Sequence, residues 1–517
     1  MELCDKYLYE LILINPTLND IFQFEEYKDK KHIQPNIYSE KYYNELYRLD
    51  MKYLRILKKK EKTTNDRILE RDLKYNTKME KGYKIFMYMP VNINDNILFD
   101  YVSECRGNGI YFFNSRNDYY DFMKRLKSLT PITEEIIQKM KNGIRENICL
   151  PRKTVDKMIE TIQIILSNQT YKHTLRNNIR PKDWEDSIQK YLITNLERFL
   201  SFLLNKYYIH TKEILGLCSY VGGKEAYKSM IQYETFDSIT PEQIYQLGRK
   251  ELNRLMKEKK NLSKKLNIKN INKYTYSNEK DILNDLDKIK HKIQYDIIPK
   301  YFHEKLKNKD LYQIKKIKKE NQRYFAYYRS KIHGKFQGEF YINVSDPKKV
   351  NRYELYVLSL HEGIPGHHYE GLTNYRNKNI PDYLKLGYQS YNEGWALYCE
   401  SLGDYDDDLH YYFKIQYEIN RSLRLLLDTG IHYFHWDYNK CKKYIQKYLT
   451  DDEERIHNDI LRYMNDPGQA ITYKIGEKAF LYFRNKLLKQ GISIKDIHQI
   501  IFNIGPCPIE IMTQLLE

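Results

Sequence analysis

One short stretch of the chain, residues 358–372, concentrates the side chains that bind metals and transfer protons. It holds three of the chain's 14 histidines and the carboxylate of Glu362. A second carboxylate, Glu393, follows in the stretch 391–400. Imidazole nitrogens and carboxylate oxygens are ligands that Zn²⁺ prefers, and a glutamate beside a zinc ligand can act as a general base. These residue types therefore point to a zinc site that activates water.

The spacing of the histidines departs from the common H-E-x-x-H pattern of zinc peptidases. That pattern places two histidines one helical turn apart, but Pro365 occupies the position of the second histidine. On a regular helix His367 would lie about 240° around the axis from His361, whereas His368 would share its face but lie about 10 Å further along. Pro365 and Gly366 favour a broken or widened turn, which would bring His367 back to His361. We predict His361 and His367 as ligands with His368 as the rival; alternatively, the Pro-Gly pair only ends a helix and the histidines bind carboxylates.

The third ligand is predicted to be Glu393, which precedes the apolar run Trp395–Tyr398. An unpaired carboxylate on an apolar helix is costly to bury, so this side chain needs a cation or another partner. The segment between His367 and Glu393 is long enough for a helix end, a loop and a return. Glu400 lies seven residues further on roughly the same helical face. We expect it to orient a histidine ligand, or to be a solvated charge.

Helical periodicity dominates the rest of the chain, so the fold is predicted to be mainly α. Thr130-Pro131, followed by acidic residues, is typical of a helix start. The clearest strand covers residues 338–344, which alternate and are rich in aromatic and β-branched types. This strand predicts a small β-sheet beside the helix of His361, with an edge that could pair with an extended peptide. Without repeats or flexible linkers, residues 1–517 are predicted to form one domain, with the metal-site motifs in 338–476.

Composition excludes several classes of protein. Hydrophobic residues make up 41% and charged residues 30%, which is typical of a globular chain. The seven scattered cysteines form no C-x-x-C pair, so neither a disulfide framework nor a thiolate zinc site is expected. No apolar run reaches membrane-spanning length, and the first residues lack the pattern of a signal peptide, so we expect a cytoplasmic protein that does not bind membranes. We make no prediction of its oligomeric state.

The motifs resemble the domain-of-unknown-function family 885, which is grouped with the gluzincin-like metallopeptidases. The resemblance rests on His361–His368, Glu393–Glu400, Leu427–His432 and Arg462–Gly476, and weaker similarities begin near residue 126. It covers nearly the whole chain. It implies a two-lobed helical zincin fold, a Zn²⁺ cofactor and peptidase activity on a peptide substrate of undefined sequence.

The hypothesis of metal-assisted amide hydrolysis gives roles to single residues. Zinc would lower the pKa of a bound water, and Glu362 would take its proton. Tyr473 would stabilise the oxyanion or, as one of 51 tyrosines, serve only in packing. Lys474 would contact a substrate carboxylate or be an exposed lysine. His432 would line the site or form a structural pair with Asp428, one helical turn away.

Two arginines, Arg462 and Arg484, are weaker candidates for binding a peptide carboxylate. Rival functions are a non-catalytic binding scaffold, a nucleic-acid-binding protein, and hydrolysis of a non-peptide amide or ester. Glu362 argues against the scaffold, because a structural zinc site needs no base. The net charge of +17 suggests nucleic acid, but the excess is spread out and its strongest cluster, Lys315–Lys319, is modest, so nucleic-acid binding is disfavoured.

Overall fold

The structure, a computed structural model, describes residues 2–169, 179–266, 274–317, 325–333, 335–405 and 407–515. The chain divides into two compact units. The first contains Met1–Ala226 and Met464–Asp466, and the second contains Tyr227–Tyr463 and Pro467–Glu517. The single domain expected over residues 1–517 stays a prediction.

The described part of the first unit is built from helices, and it contains an apolar core formed by Tyr38 and by residues between Val91 and Tyr207. Its amphipathic sequences turn their apolar faces inward, and the aromatic centre of the core is Trp184, which is 2% exposed. The helices are α1 (Leu3–Ile14), α2 (Asn19–Phe22), α3 (Glu40–Leu57), α4 (Thr64–Gly82), α5 (Lys84–Tyr88), α6 (Ile97–Cys105), α7 (Arg116–Arg145), α8 (Arg152–Asn168), α9 (Trp184–Ser187) and α10 (Thr194–Phe202).

The helix start predicted at Thr130-Pro131 is wrong. Pro131 lies inside α7, which runs without interruption through this position. Proline removes one backbone hydrogen bond from the helix. Leu129 and Ile132, which flank this position, are completely buried, and their burial outweighs the single lost bond.

The second unit is mainly helical and is assembled around α18, whose residues from Leu423 to His432 are all buried. This helix packs against α12, α15 and α21, the last of which also packs against α17. The division between the units falls within α11. The helices are α11 (Gly223–Glu234), α12 (Pro241–Leu266), α13 (Glu279–Lys292), α14 (Ile298–Tyr301), α15 (Arg352–Glu362), α16 (His367–Arg376), α17 (Gln389–Glu400), α18 (Asp408–His432), α19 (Tyr438–Tyr448), α20 (Glu453–Asn465), α21 (Gln469–Lys489), α22 (Ile494–Ile504) and α23 (Ile509–Gln514).

A three-stranded sheet in the second unit contacts α16. Its strands are β1 (Gln313–Lys316), β2 (Ala326–His333) and β3 (Lys335–Ile342), in the order β1-β3-β2. The central strand β3 runs parallel to β1, with Gln313 opposite Glu339, and antiparallel to β2, with Tyr328 opposite Phe340. A mainly helical fold with a small sheet is therefore confirmed.

The predicted strand 338–344 overlaps β3, which begins three residues earlier and ends at Ile342. The prediction that this strand is an edge available to a peptide is wrong, because β3 is hydrogen-bonded on both sides. Its alternation reflects the complete burial of Phe340 and Ile342 on one face. Alternation of this kind describes a face of the sheet and carries no information about whether a strand is central.

Candidate functional site

The two helices that carry the histidines meet at a sharp break. Helix α15 ends at Glu362, α16 begins at His367, and the Ile364–Pro365 peptide between them is cis. A Cβ atom on Gly366 would lie 1.9 Å from the carbonyl oxygen of His361, so only glycine allows this approach. The imidazole rings of His361 and His367 consequently lie with their centroids 5.0 Å apart.

Glu393, on α17, approaches both rings. Its Oε2 atom lies 3.5 Å from His361 Nε2 and 3.4 Å from His367 Nε2. Ligand atoms at ~2.0–2.2 Å from a tetrahedral Zn²⁺ lie roughly 3.3–3.5 Å from one another, which these separations match. The buried Oε2 atom has no hydrogen-bond partner within the described residues. These three side chains fit a metal ion, and no other group of three potential ligands is found in the described part of the chain.

Each of the two histidines turns its second ring nitrogen towards another carboxylate. His361 Nδ1 lies 2.9 Å from Glu400 Oε1, and His367 Nδ1 lies 3.9 Å from Glu370 Oε2. Glu400 is 1% exposed, so the alternative of a solvated charge is wrong. Such carboxylates fix the orientation and tautomer of a ligand histidine, leaving Nε2 free for the metal. Sequence reasoning missed Glu370. Its position three residues after His367, on the same helical face, was the available signal.

The charges of this cluster are set by burial and by mutual contact. Burial tends to raise the pKa of Glu393, but the close imidazoles of His361 and His367 outweigh this effect and hold the pKa well below its usual range. Burial tends to lower the pKa of both histidines, but the surrounding carboxylates outweigh it and raise both pKa values. The ionised carboxylate of Glu393 therefore favours a cation in the space between it and the two imidazoles.

His368 points away from this cluster. Its Nε2 donates to the carbonyl oxygen of Asp310 at 2.6 Å, and its Nδ1 accepts from the Tyr328 hydroxyl at 3.1 Å. Burial lowers its pKa to about 4, so the ring is neutral near pH 7. The structure therefore brings His367, and not His368, to Glu393.

Two further predicted residues, Glu362 and Tyr473, lie beside the cluster. Glu362 is partly exposed, contributes to raising the pKa of both histidines, and has no hydrogen-bond or ion-pair partner among the described residues. The ring of Tyr473 lies parallel to that of His361 at 6.2 Å. Its hydroxyl accepts a hydrogen bond from Arg462 Nη2 at 2.8 Å, which leaves the phenolic proton available to another acceptor.

Close packing of α17 against α21 positions Glu393 and Tyr473 relative to each other. A Cβ atom on Gly394 would lie 2.5 Å from the Cα atom of Gly476, so the two backbones touch at this point. Glu393 directly precedes one of these glycines, and Tyr473 lies one turn before the other.

Lys474 and His432 are not brought to the cluster. Lys474 is completely buried, with Nζ 2.6 Å from Glu477 Oε2 and 3.6 Å from Glu418 Oε2. His432 is also completely buried, and its Nε2 donates to the carbonyl oxygen of Tyr463 at 2.8 Å. Both side chains have the contacts of structural residues that join helices.

Comparison with known proteins supports the fold. A crystal structure described as a "putative lipoprotein" from Colwellia psychrerythraea is similar, with a TM-score of 0.78, 19% identity, and coverage of 92% of this chain and 91% of that chain. A second, described as a "putative lipoprotein of unknown function" from Shewanella oneidensis, has a TM-score of 0.75 and 14% identity, and the match covers 99% of this chain and 98% of that chain. At these identities the similarity concerns the fold alone.

The remaining findings concern membrane-spanning helices, curated proteins and the family. No described helix combines the length and the apolar character needed to cross a membrane. No curated protein matches this chain. The family model described as "Bacterial protein of unknown function (DUF885)" matches residues 29–516, and the chain belongs to this family.

Proposed function

We propose that this protein is a zinc-dependent peptidase of the gluzincin type. The observation that carries the proposal is the convergence of His361 Nε2, His367 Nε2 and Glu393 Oε2, with a glutamate that has no ion-pair partner among the described residues beside them. The two-lobed zincin arrangement, a peptide substrate and a cytoplasmic location, all expected from the sequence, belong to the same proposal.

The donor set favours a catalytic site over a structural one. Structural zinc sites usually have four protein ligands, whereas catalytic sites have three and keep one position open. Three protein ligands converge here, and the described residues offer no fourth to the group. Glu362 has no use in a structural site, yet it lies next to the ligand His361 in the sequence and close to both rings.

When bound, Zn²⁺ would lower the pKa of a water molecule and polarise the substrate carbonyl. Glu362 would accept a proton from the attacking water as the water oxygen bonds to the carbonyl carbon, and it would deliver the proton to the leaving amine as the C–N bond breaks. The Tyr473 hydroxyl donates a hydrogen bond to the negative carbonyl oxygen. Glu400 and Glu370 hold the two ligand histidines in orientation. One water is consumed for each peptide bond broken, and one carboxylate and one amine are released.

Metal content, measured by mass spectrometry on protein purified without chelators, tests this proposal. We expect about one zinc per chain in the wild type, as for an open catalytic site. Glu393→Ala and His367→Ala should lose the metal, whereas the matched neighbour His368→Ala should keep it, provided that circular dichroism shows all variants folded. Absence of stoichiometric metal in the wild type would refute the zinc-peptidase proposal. A peptide-library digest of the zinc-loaded protein then tests for hydrolysis.

A further inference from the structure

Two arginines in the second unit converge on Tyr473 without a carboxylate partner among the described residues. The guanidinium carbon of Arg424 lies 4.4 Å from the centroid of the Tyr473 ring, and that of Arg462 lies 5.7 Å from it. Neither guanidinium forms an ion pair with a carboxylate of the described residues. Arg424 is 8% exposed, and its buried Nη1 atom makes no hydrogen bond within the described residues. Its guanidinium also contacts the side chain of Tyr463, whose buried phenol is neutral and does not compensate the charge.

Other buried cations of the same unit are compensated. Lys474 pairs with Glu477, Lys414 pairs with Glu418, and Arg421 Nη2 lies 3.8 Å from Glu400 Oε1. Because taking an uncompensated charge out of water is costly, buried charges are normally paired. No described carboxylate lies within ion-pair distance of Arg424 or Arg462, although the charge of Glu393 acts on Arg462 from further away. This arrangement points to an anion supplied from outside.

Arg462 is placed where such an anion can reach it. It is partly exposed, and a single nitrogen, Nη2, serves both of its internal acceptors, Gln469 Oε1 and the Tyr473 hydroxyl, each at 2.8 Å. The remaining N–H groups of the planar fork suit a carboxylate, which they can bind through two parallel hydrogen bonds. Gln469 in turn donates to the exposed Gln389 at 3.4 Å, so polar groups lead from the surface to Arg462.

We propose that Arg462 binds the free C-terminal carboxylate of the substrate, so that the enzyme removes residues from the carboxyl end of peptides. This inference rests on the proposed peptidase function and names its substrate class. Arg462 contacts the same phenol that faces the reacting carbonyl oxygen, and one residue of extended chain spans about 3.3–3.6 Å. A carboxylate held by Arg462 therefore belongs to the first or second residue after the cleaved bond. Hydrolysis would consume one water and release a free amino acid or a dipeptide.

Arg424 is a positioning residue in this arrangement. It lies against the Tyr473 ring, and its Nε donates to Asn420 Oδ1 at 3.1 Å on the same helix, so its guanidinium is fixed. It holds the phenol and adds positive potential behind Arg462. It makes no contact with substrate.

The test uses matched peptides that differ only at their ends, assayed with the zinc-loaded protein. One set has a free C-terminal carboxylate or an amide, and the other has a free or an acetylated N-terminus. We expect kcat/KM to be at least about tenfold higher for the free acid than for the amide, since a hydrogen bond to a charged group is lost in the amide. Acetylation should have no effect, and mass spectrometry should identify the released last residue or dipeptide.

Arg462→Gln separates carboxylate binding from a structural effect. This variant should lower kcat/KM on the free acid by a larger factor than on the amide, so that the ratio of acid to amide falls from at least about tenfold to about one. A loss that acts through the Tyr473 hydroxyl affects both substrates equally and leaves this ratio unchanged. Arg484→Gln is the matched control, because Arg484 lies three turns further along α21, about 16 Å from Tyr473 along the helix axis. It should retain the wild-type preference for the acid. Equal cleavage of acid and amide by the wild type, or an equal loss on both substrates in Arg462→Gln, would overturn the inference.

Binding measurements make the inference independent of turnover. Calorimetry of Glu362→Gln, with zinc present, should show at least about tenfold tighter binding of the acid than of the amide, and Arg462→Gln in this background should abolish the difference. Equal affinities would overturn carboxylate recognition even if peptides are hydrolysed. If Glu362→Gln binds the acid more tightly than the amide but the wild type hydrolyses neither peptide, carboxylate recognition is upheld and the peptidase proposal is refuted.

Discussion

Two neighbouring glutamates of the site differ in what surrounds them. Glu393 lies between two imidazoles, and their proximity keeps its pKa well below the usual range, which suits a permanently ionised ligand. Glu362 is partly exposed and unpaired among the described residues, which suits a group that must gain and lose a proton. At the scale of single residues, the surroundings of each glutamate, and not its residue type, decide whether it suits the role of a metal ligand or of a base.

Glu362→Gln tests this separation. The amide keeps the size of the carboxylate but cannot accept the proton, so we expect hydrolysis to fall by about 10²–10⁴-fold. Because Glu362 is not in the group of converging ligand atoms, zinc content should stay at one per chain. Peptide hydrolysis and metal analysis on the same preparation give both readouts.

Glu454→Gln, at an exposed position on α20, is the control and should leave both quantities at their wild-type values. Loss of zinc from Glu362→Gln would instead assign this residue to the metal. Full activity in Glu362→Gln would exclude it as the base.

At the scale of elements, the crossing of α17 and α21 holds the site together. Gly394→Ala places a methyl group against the backbone of Gly476, and neither helix can yield without moving Glu393 or Tyr473. We expect a loss of unfolding free energy of about 1–3 kcal/mol, the usual cost of overpacking. Zinc affinity should also fall. Urea denaturation and zinc competition with a chelator measure the two effects.

The matched control is Gly371→Ala on α16. A Cβ atom there meets only the end of the Phe336 side chain, at 3.1 Å, which can shift. Alanine also favours the helix by roughly 1 kcal/mol, so stability should change little or rise. Equal changes of unfolding free energy and zinc affinity in Gly394→Ala and Gly371→Ala would show that the crossing of α17 and α21 does not position Glu393.

The contact of α18 with the end of α20 should make stability depend on pH. Burial lowers the pKa of His432 to about 4, whereas an unfolded histidine titrates near 6.5. Between these values the unfolded chain binds more protons, so stability is lost as the pH falls from about 6.5 to about 4, by at most about 3 kcal/mol for this residue. His432→Gln keeps a donor for the carbonyl of Tyr463 but does not titrate, so its stability should fall less over this range.

Urea denaturation at pH 7, 6 and 5 measures the difference. His210→Gln, at an exposed position of the first unit, should keep the wild-type pH dependence. An identical slope in His432→Gln and the wild type would contradict the assignment of this histidine as buried and neutral.

At the scale of the whole molecule, the site belongs entirely to the second unit. A metal that binds only the folded state stabilises it by about 2.7 kcal/mol at a free concentration 100-fold above Kd. We therefore expect zinc to slow hydrogen exchange in α15, α16 and α17. Exchange in α7, which lies in the first unit, serves as the internal reference.

The same measurement on Glu393→Ala should show no zinc effect on α15–α17. Protection by zinc in that variant would mean that the metal acts elsewhere on the protein. Addition of a chelator to the wild type should reverse the protection.

Much of this protein is determined by local sequence. Helical periodicity predicted the mainly α fold, and the Pro365-Gly366 pair predicted the break between α15 and α16. Both are local properties, because hydrogen bonds within a helix and backbone freedom at a glycine depend on near neighbours. The proposed ligands and base were named from residue types whose chemistry is the same wherever they lie.

Contacts between segments far apart in the sequence could not be predicted from these local patterns. His367 faces Glu393, and His368 turns to Asp310 and Tyr328, because α17 and β2 approach α16 from different sides. Packing between distant elements also decides three other features. These are the central position of β3, the carboxylate of Glu370 behind His367 and the burial of Lys474. Local pattern determines which face of an element is apolar or charged, but the partner of that face is chosen by packing between segments far apart in sequence.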